Sequence, residues 1–376
     1  MVRHMHTLFV ASALGLAPNA IYAQVQQSQP IIQQTFAESD EGWMVFAGSG
    51  KVSVTHDPAE VRGGKGALKF TYNIAKGELN ILALPTPDGK LARMKSLKCW
   101  LKADHSTTLA FAVQENGGGR YVAAFSVPGG AWQEVVLAPG DFVLSEDKDA
   151  PKDPDGKLDL DQVMGIAVVD LAQMAAQAGD NPLISALFPY QPGAHTLLIS
   201  DFTVSDQAVP AASSSSATSV DVDTLVHPQV GWIGVGGAKL ARVDGGPIGG
   251  PSLKVDYHAG PTSGGGVLKP IQRGLLAGTK QLEFDVASAK PTKVFVQVEQ
   301  PGGIKFNTSV DLDGSSTKQH VALTASNFAP AQDSADPSAK LDFAQVTTLL
   351  LGDITGVLGG PEQDNTLWIG KIRAVK

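Results

Sequence analysis

A chain of 376 residues is longer than one ordinary domain and suits two. Only 18% of residues are charged, 43% are apolar, and Gly (41) and Pro (23) are plentiful, the composition of a turn-rich all-β protein with a buried core. The net charge of −8 argues against nucleic acid as a partner, because that affinity comes largely from Lys and Arg neutralising phosphates; it leaves neutral ligands open.

The first 23 residues read as a signal peptide. Arg3 gives a weakly basic start, Thr7 to Ala17 is an apolar run too short to span a bilayer, and Ala23 is a small residue before Gln24. Export to a periplasm or the exterior is therefore expected. The single cysteine, Cys99, can form no internal disulfide, so stability must come from the core. Residues 24–34 read as a disordered N-terminal segment.

From there the chain repeats itself. "GW" at Gly42-Trp43 returns at Gly231-Trp232, and "GALKFTY" (66–72) returns as "PSLKVDY" (251–257). "SLKCWLKA" (96–103) aligns with "QLEFDVAS" (281–288), and "KLDLDQV" (157–163) with "KLDFAQV" (340–346). The alternation of Leu97, Cys99 and Leu101 with Lys98, Trp100 and Lys102 has the period of a strand with one face in a core. Leu282, Phe284 and Val286 repeat it in the second half. Gly-Gly clusters at 117–119, 129–130 and 302–303 punctuate the strands as hairpin turns would. The expected fold is all-β: two tandem jelly-roll β-sandwiches, module 1 over 35–208 and module 2 over 220–376. Between them "VPAASSSSATS" (209–219) is a Ser/Ala-rich linker expected to act as a flexible tether. The acids of the "KLD" segments are expected to cap a short helical turn above Leu158, Leu160 and Val163.

Together, "GALKFTY", "SLKCWLKAD", "LAFAVQE", "KLDLDQVMGIAVVD" and "LLISDF" resemble the galactose-binding-like jelly rolls of family 11 carbohydrate-binding modules and the related domains of complex I intermediate-associated protein 30. The resemblance covers nearly all of module 1 and, more faintly, module 2. It implies a module that binds polysaccharide or oligosaccharide on a concave sheet face.

A sugar site needs an aromatic plane for the pyranose ring and polar groups for its hydroxyls. Aromatics are only 6% of this chain. Trp100 takes the non-core parity of its strand, Gln114 has the same parity in a neighbouring stretch, and Arg120 follows the Gly-rich turn. Trp132 and Glu134 face outward if Val135 and Leu137 face in. These five are the candidate ligand-binding residues. Trp43, Trp232 and Tyr121 are expected in the core, and Trp368, matched to Leu198, in the core or at a sheet edge.

Catalysis finds little support: there is no HExxH, no Gly-x-Ser-x-Gly, and no Lys-Ser pair after the glycines at 234–237, and only Asp159 and Asp161, which share a parity, offer the two carboxylates a hydrolase would need. No cofactor is called for. Asp153, Asp155 and Gly156 imitate part of a calcium loop, but Pro151 and Gln162 would fill its first and last positions, so a structural calcium ion would need another geometry. Three readings follow: a non-catalytic, exported glycan-binding protein; an assembly protein using the extra segment 171–195 to hold a protein partner; and, on fold analogy alone, a jelly-roll hydrolase or lyase.

Overall fold

The computed structural model describes residues 29–145, 151–177, 190–211, 213–227, 231–261 and 264–376. The expected signal peptide and the apolar residues Leu183, Leu187 and Phe188 lie outside them.

Module 1 is a sandwich of two antiparallel sheets. One sheet runs in the order Lys51–Thr55, Ala67–Ile74, Gly193–Ser205, Ser96–Ala103, Gln133–Leu137, with Ile32–Gln34 also paired to Gly193–Ser205. The other runs Val143–Leu144, Arg120–Val127, Thr107–Glu115, Val163–Asp170, Ile81–Pro85, Met44–Ala47. Leu97, Cys99, Leu101, Phe111, Val113, Ile166 and Ile199 fill the space between the sheets with essentially no exposure. Module 2 repeats this plan around Leu253, Val255, Phe284, Val296 and Leu351.

The repeat extends to polar ties that cross each core. Tyr72 donates to Asp170 across the first sandwich (2.6 Å), and Tyr257 to Asp353 across the second (2.8 Å). Trp43 and Trp232 are both buried, as their retention in both copies suggested, and each indole N–H has a partner nine residues upstream: Gln34 (2.8 Å) and Asp223, respectively. Tyr121 is buried and donates to Asp153.

Three local expectations need correction. The segment 24–34 is not wholly disordered: Ile32–Gln34 is a strand paired with Gly193–Ser205, because Gln34 is held by Trp43 and Ile31 and Ile32 pack on the core. The linker is not wholly a tether: Ser214–Ser215 pairs with Ser219–Asp223, and Ser216 closes the turn through its backbone and hydroxyl bonds to Ser219. The serine side chains supply the turn bonds that composition alone reads as disorder. The Asp-capped turn forms only in the second copy, where Asp342 accepts from Ala344 N–H ahead of the 3-10 turn Phe343–Gln345. In the first copy Asp159 instead makes a plain turn, its carbonyl accepting from Gln162 N–H.

The modules touch through one sheet of each. Outward-facing Ala110, Val122, Ala124, Val169 and Leu171 of module 1 pack on Ile233 and Leu268 of module 2. Gly231 N–H donates to Ala124 C=O (2.6 Å), Ser126 to Trp232 C=O (3.2 Å), and Leu144 N–H to the Gln272 side chain (3.0 Å). These contacting sheets are the inner ones. The sheets holding Ser96–Ala103 and Gln281–Ser288 are the outer ones, on the far sides of the two sandwiches.

Candidate functional site

The five sequence candidates fall on two sheets. Trp100 and Glu134 are register partners on the outer sheet of module 1. Trp132 immediately precedes the strand Gln133–Leu137, two residues from Glu134. Gln114 and Arg120 are register partners on the inner sheet, at the hairpin that joins its two long strands. The Gln114 amide is taken up by that hairpin, donating to Glu115, Gly118 and Gly119 carbonyls. The structure thus joins Trp100, Trp132 and Glu134 in one neighbourhood and places Gln114 and Arg120 in another.

Trp100 is half-buried at the middle of the outer face. Its strand alternates inward Leu97, Cys99 and Leu101 with outward Lys98, Trp100 and Lys102, so its ring is excluded from the core by parity alone. The segment 57–64 is tied to this face. Arg62 N–H lies 3.3 Å from Ser200 Oγ, Lys102 donates to Ala59 C=O (3.3 Å), and Lys69 pairs with Glu60 (2.7 Å). The Arg62 guanidinium lies over the indole, 4.7 Å from its centroid. Lys98 pairs with Glu134 beside the ring (2.7 Å). The hydrogen bond from Lys69 is the main reason the Glu60 carboxyl titrates below its usual range.

Sequence reasoning missed one residue of this kind. Trp368 is neither core nor edge: it is half-buried on a strand flanked by Ser252–Ala259 and Gln281–Ser288, paired with Lys254 and Ala287 on the outer sheet of module 2. Nearby stand Lys254 paired with Asp256 (2.7 Å), and Asp285 held by His320 (3.0 Å) and Lys318 (3.3 Å). Its counterpart Leu198 also faces outward but is only 4% exposed, which is why the pairing suggested a core position. The alternation of Leu367 and Ile369 with Trp368 was the available signal.

A cavity of about 610 Å³ lies at the junction of the modules. Its walls include Thr108, Ser126, Leu171, Met174, Tyr190 and Lys239. At one border Asp104, His105 and His195 cluster. Among the described residues of the acidic loop, Asp153 accepts from Tyr121 and from Asp155 N–H, and Asp155 from Lys157 N–H. No helix among the described residues is long and apolar enough to cross a membrane.

No protein-family model matches the chain, and no curated protein matches it significantly. Solved structures do. The family 11 carbohydrate-binding module from Clostridium thermocellum, in complex with a β-1,3-1,4-mixed-linked tetrasaccharide, is 14% identical, with 47% of this chain and 96% of that chain covered at a TM-score of 0.35. The tandem of two family 22 modules from Paenibacillus barcinonensis Xyn10C is 13% identical and covers 93% of this chain and 98% of its own, at a TM-score of 0.29. A family 61 module in complex with β-1,4-galactotriose is 14% identical, covering 47% and 98%, at a TM-score of 0.28. At such identities and TM-scores the functional reading rests on this chain's own residues.

Proposed function

We propose that this chain is a non-catalytic carbohydrate-binding protein whose ligand face is the outer sheet of module 1. Trp100 carries the reading: a large aromatic ring held on the solvent side of a sheet, with Lys98, Glu134 and Arg62 around it. A pyranose presents an apolar C–H face and a rim of hydroxyls, and this arrangement offers a partner for each. Trp132, just ahead of the neighbouring strand, would extend the apolar platform, and Glu134 with Lys98 supplies an acceptor and a donor beside the Trp100 ring. Gln114 and Arg120 would belong to a separate, lesser contact on the inner sheet. Trp368 with Lys254 and Asp256 is a second candidate face of the same chemistry.

The catalytic alternatives have no comparable support. Asp159, which a hydrolase reading would invoke, spends its side chain on Gln162. The protein-partner reading drew on the 171–195 segment. There Gln173 and Gln177 of the helix Ala172–Gln177 bind the backbone of residues 75–80, which gives that helix a structural role.

The test is affinity electrophoresis of the full chain in gels carrying soluble neutral and acidic polysaccharides. Retardation in at least one gel, lost in Trp100→Ala, supports the proposal. Retardation that survives Trp100→Ala moves the site elsewhere, and none in any gel refutes carbohydrate binding by this chain for that panel.

A further inference from the structure

His105, in the turn between Ser96–Ala103 and Thr107–Glu115, and His195, on the strand Gly193–Ser205, aim the same ring atom at one carboxylate oxygen. His105 Nδ1 lies 2.7 Å from Asp104 Oδ1, and His195 Nδ1 lies 3.2 Å from that oxygen. The two rings sit 3.9 Å apart, centroid to centroid. Both histidines are 7% exposed.

The far side of the His195 ring fixes its tautomer. His195 Nε2 sits 2.8 Å from the Gln191 carbonyl, which can only accept, so Nε2 carries the proton. His105 Nε2 lies 3.2 Å from Asp170 Oδ2, off the line of a good hydrogen bond. Asp170 already accepts from Tyr72, Thr107 and Ala172 N–H and offers His105 only acceptor oxygens. With Nε2 protonated in both rings, the two Nδ1 lone pairs converge on a carboxylate whose other oxygen is held by Thr196 N–H (2.8 Å). Three such atoms facing one another can be bridged by a metal ion or by a proton. Imidazoles that give their outer N–H to a carboxylate or carbonyl while presenting the other nitrogen inward are the usual second layer of a metal site.

The second module supplies an internal comparison. Ala103 pairs with Leu197 as Ser288 pairs with Leu367, and Asp104 N–H reaches Thr196 C=O as Ala289 N–H reaches Thr366 C=O. Asp104, His105 and His195 thus correspond to Ala289, Lys290 and Asn365. There Asn365 Oδ1 accepts from Lys290 N–H (3.0 Å) and no carboxylate or imidazole takes part. An amide clasp serves the fold at this corner, while module 1 replaces all three positions with metal-ligating types.

We propose that Asp104 Oδ1, His105 Nδ1 and His195 Nδ1 bind a divalent transition-metal ion of the zinc class. Two imidazoles and one carboxylate suit zinc, and three protein ligands leave a fourth position for water or a ligand oxygen. Asp104 is 43% exposed at the side chain, which gives an ion an entry path. His105 and Gln191 line the inter-module cavity, so the site stands at its border. Among the described residues no other cluster of three such groups has its ligand atoms within 4.8 Å of one another.

The experiment is titration calorimetry of the metal-stripped full chain with zinc chloride, with Co²⁺ absorption as a second readout. One Zn²⁺ per chain is expected, and at least a tenfold loss of affinity in His195→Asn, the residue that module 2 carries there. Asp104→Ala tests the same point at a part-exposed position should His195→Asn fail to fold. His258→Ala, which breaks the exposed contacts to Asp364 and Glu362, should change nothing. No stoichiometric zinc, or binding unaltered by both cluster variants, overturns the site and leaves the histidines hydrogen-bonded to Asp104.

Discussion

The guanidinium of Arg62 lies over the ring of Trp100, so the aromatic plane most suited to a sugar already has an occupant. A cation over an indole at a part-exposed site contributes about 0.5–1 kcal/mol. A glycan stacking there must displace Arg62 or share the ring with it. We therefore expect Arg62→Ala to bind polysaccharide about two- to fivefold more tightly, while Trp100→Ala loses retention. Dissociation constants for both variants, from gels at graded polysaccharide concentration, check this. Weaker binding in Arg62→Ala would instead make the guanidinium a contact for sugar hydroxyls.

The core of module 2 contains an ion pair that module 1 lacks. Lys269 Nζ lies 3.1 Å from Asp223 Oδ2, which also accepts from Trp232, and both charged side chains are at most 7% exposed. The positions matching Asp223 and Lys269 in module 1 are Gln34 and Leu84. Removing one member of a buried pair strands the other charge and costs about 3–5 kcal/mol. Asp223→Ala should lose that much in urea unfolding. The double variant Asp223→Gln with Lys269→Leu should recover most of it, because the first module folds with those residues.

The junction between modules rests on small apolar contacts around Ile233, which is 8% exposed. A carboxylate placed there would be buried without a partner. Ile233→Asp should separate the modules without unfolding either, seen as a larger radius of gyration in X-ray scattering and as two thermal transitions in place of one. A single unchanged transition would show that the remaining hydrogen bonds hold the junction alone.

Asp221 joins the first and last strands of module 2, receiving Lys371 Nζ (2.6 Å), Arg373 Nε (3.2 Å) and Ser214 Oγ (3.1 Å). Burial alone would raise its pKa, but the hydrogen bonds from Lys371 and Arg373 outweigh it and hold the carboxyl below its usual range. A carboxyl more acidic when folded gives stability that is complete above its unfolded pKa and is lost as pH falls through the folded one. Asp221→Asn should therefore destabilise module 2 near neutrality, by no more than about 1 kcal/mol because both cations are part-exposed. The difference from wild type should vanish in acid. Melting temperatures at pH 7 and at pH 3 measure it.

Much of this was legible in the sequence, and the reason is local. A two-residue period tells inside from outside, so Leu97, Cys99 and Leu101 were placed in the core and Trp100 outside it. The repeat in turn exposed the buried pair Trp43 and Trp232. Period two does not say which of two sheets a strand joins. Gln114 and Trp100 share a parity yet belong to opposite sheets, because that choice is made by pairings such as Trp100 with Ser200, one hundred residues apart. The cluster of Asp104, His105 and His195 was hidden for the same reason. Its members meet only when Gly193–Ser205 pairs with Ser96–Ala103.

On the proposed reading, the stacking of the modules also sets what kind of binder this would be. Their inner sheets are in contact, so Trp100 and Trp368 look away from each other on the two far surfaces. A single short oligosaccharide could not be gripped by both. Two such faces would instead fasten two separate polymer strands, and the protein would work as a rivet in a polysaccharide network rather than as a clamp on one chain.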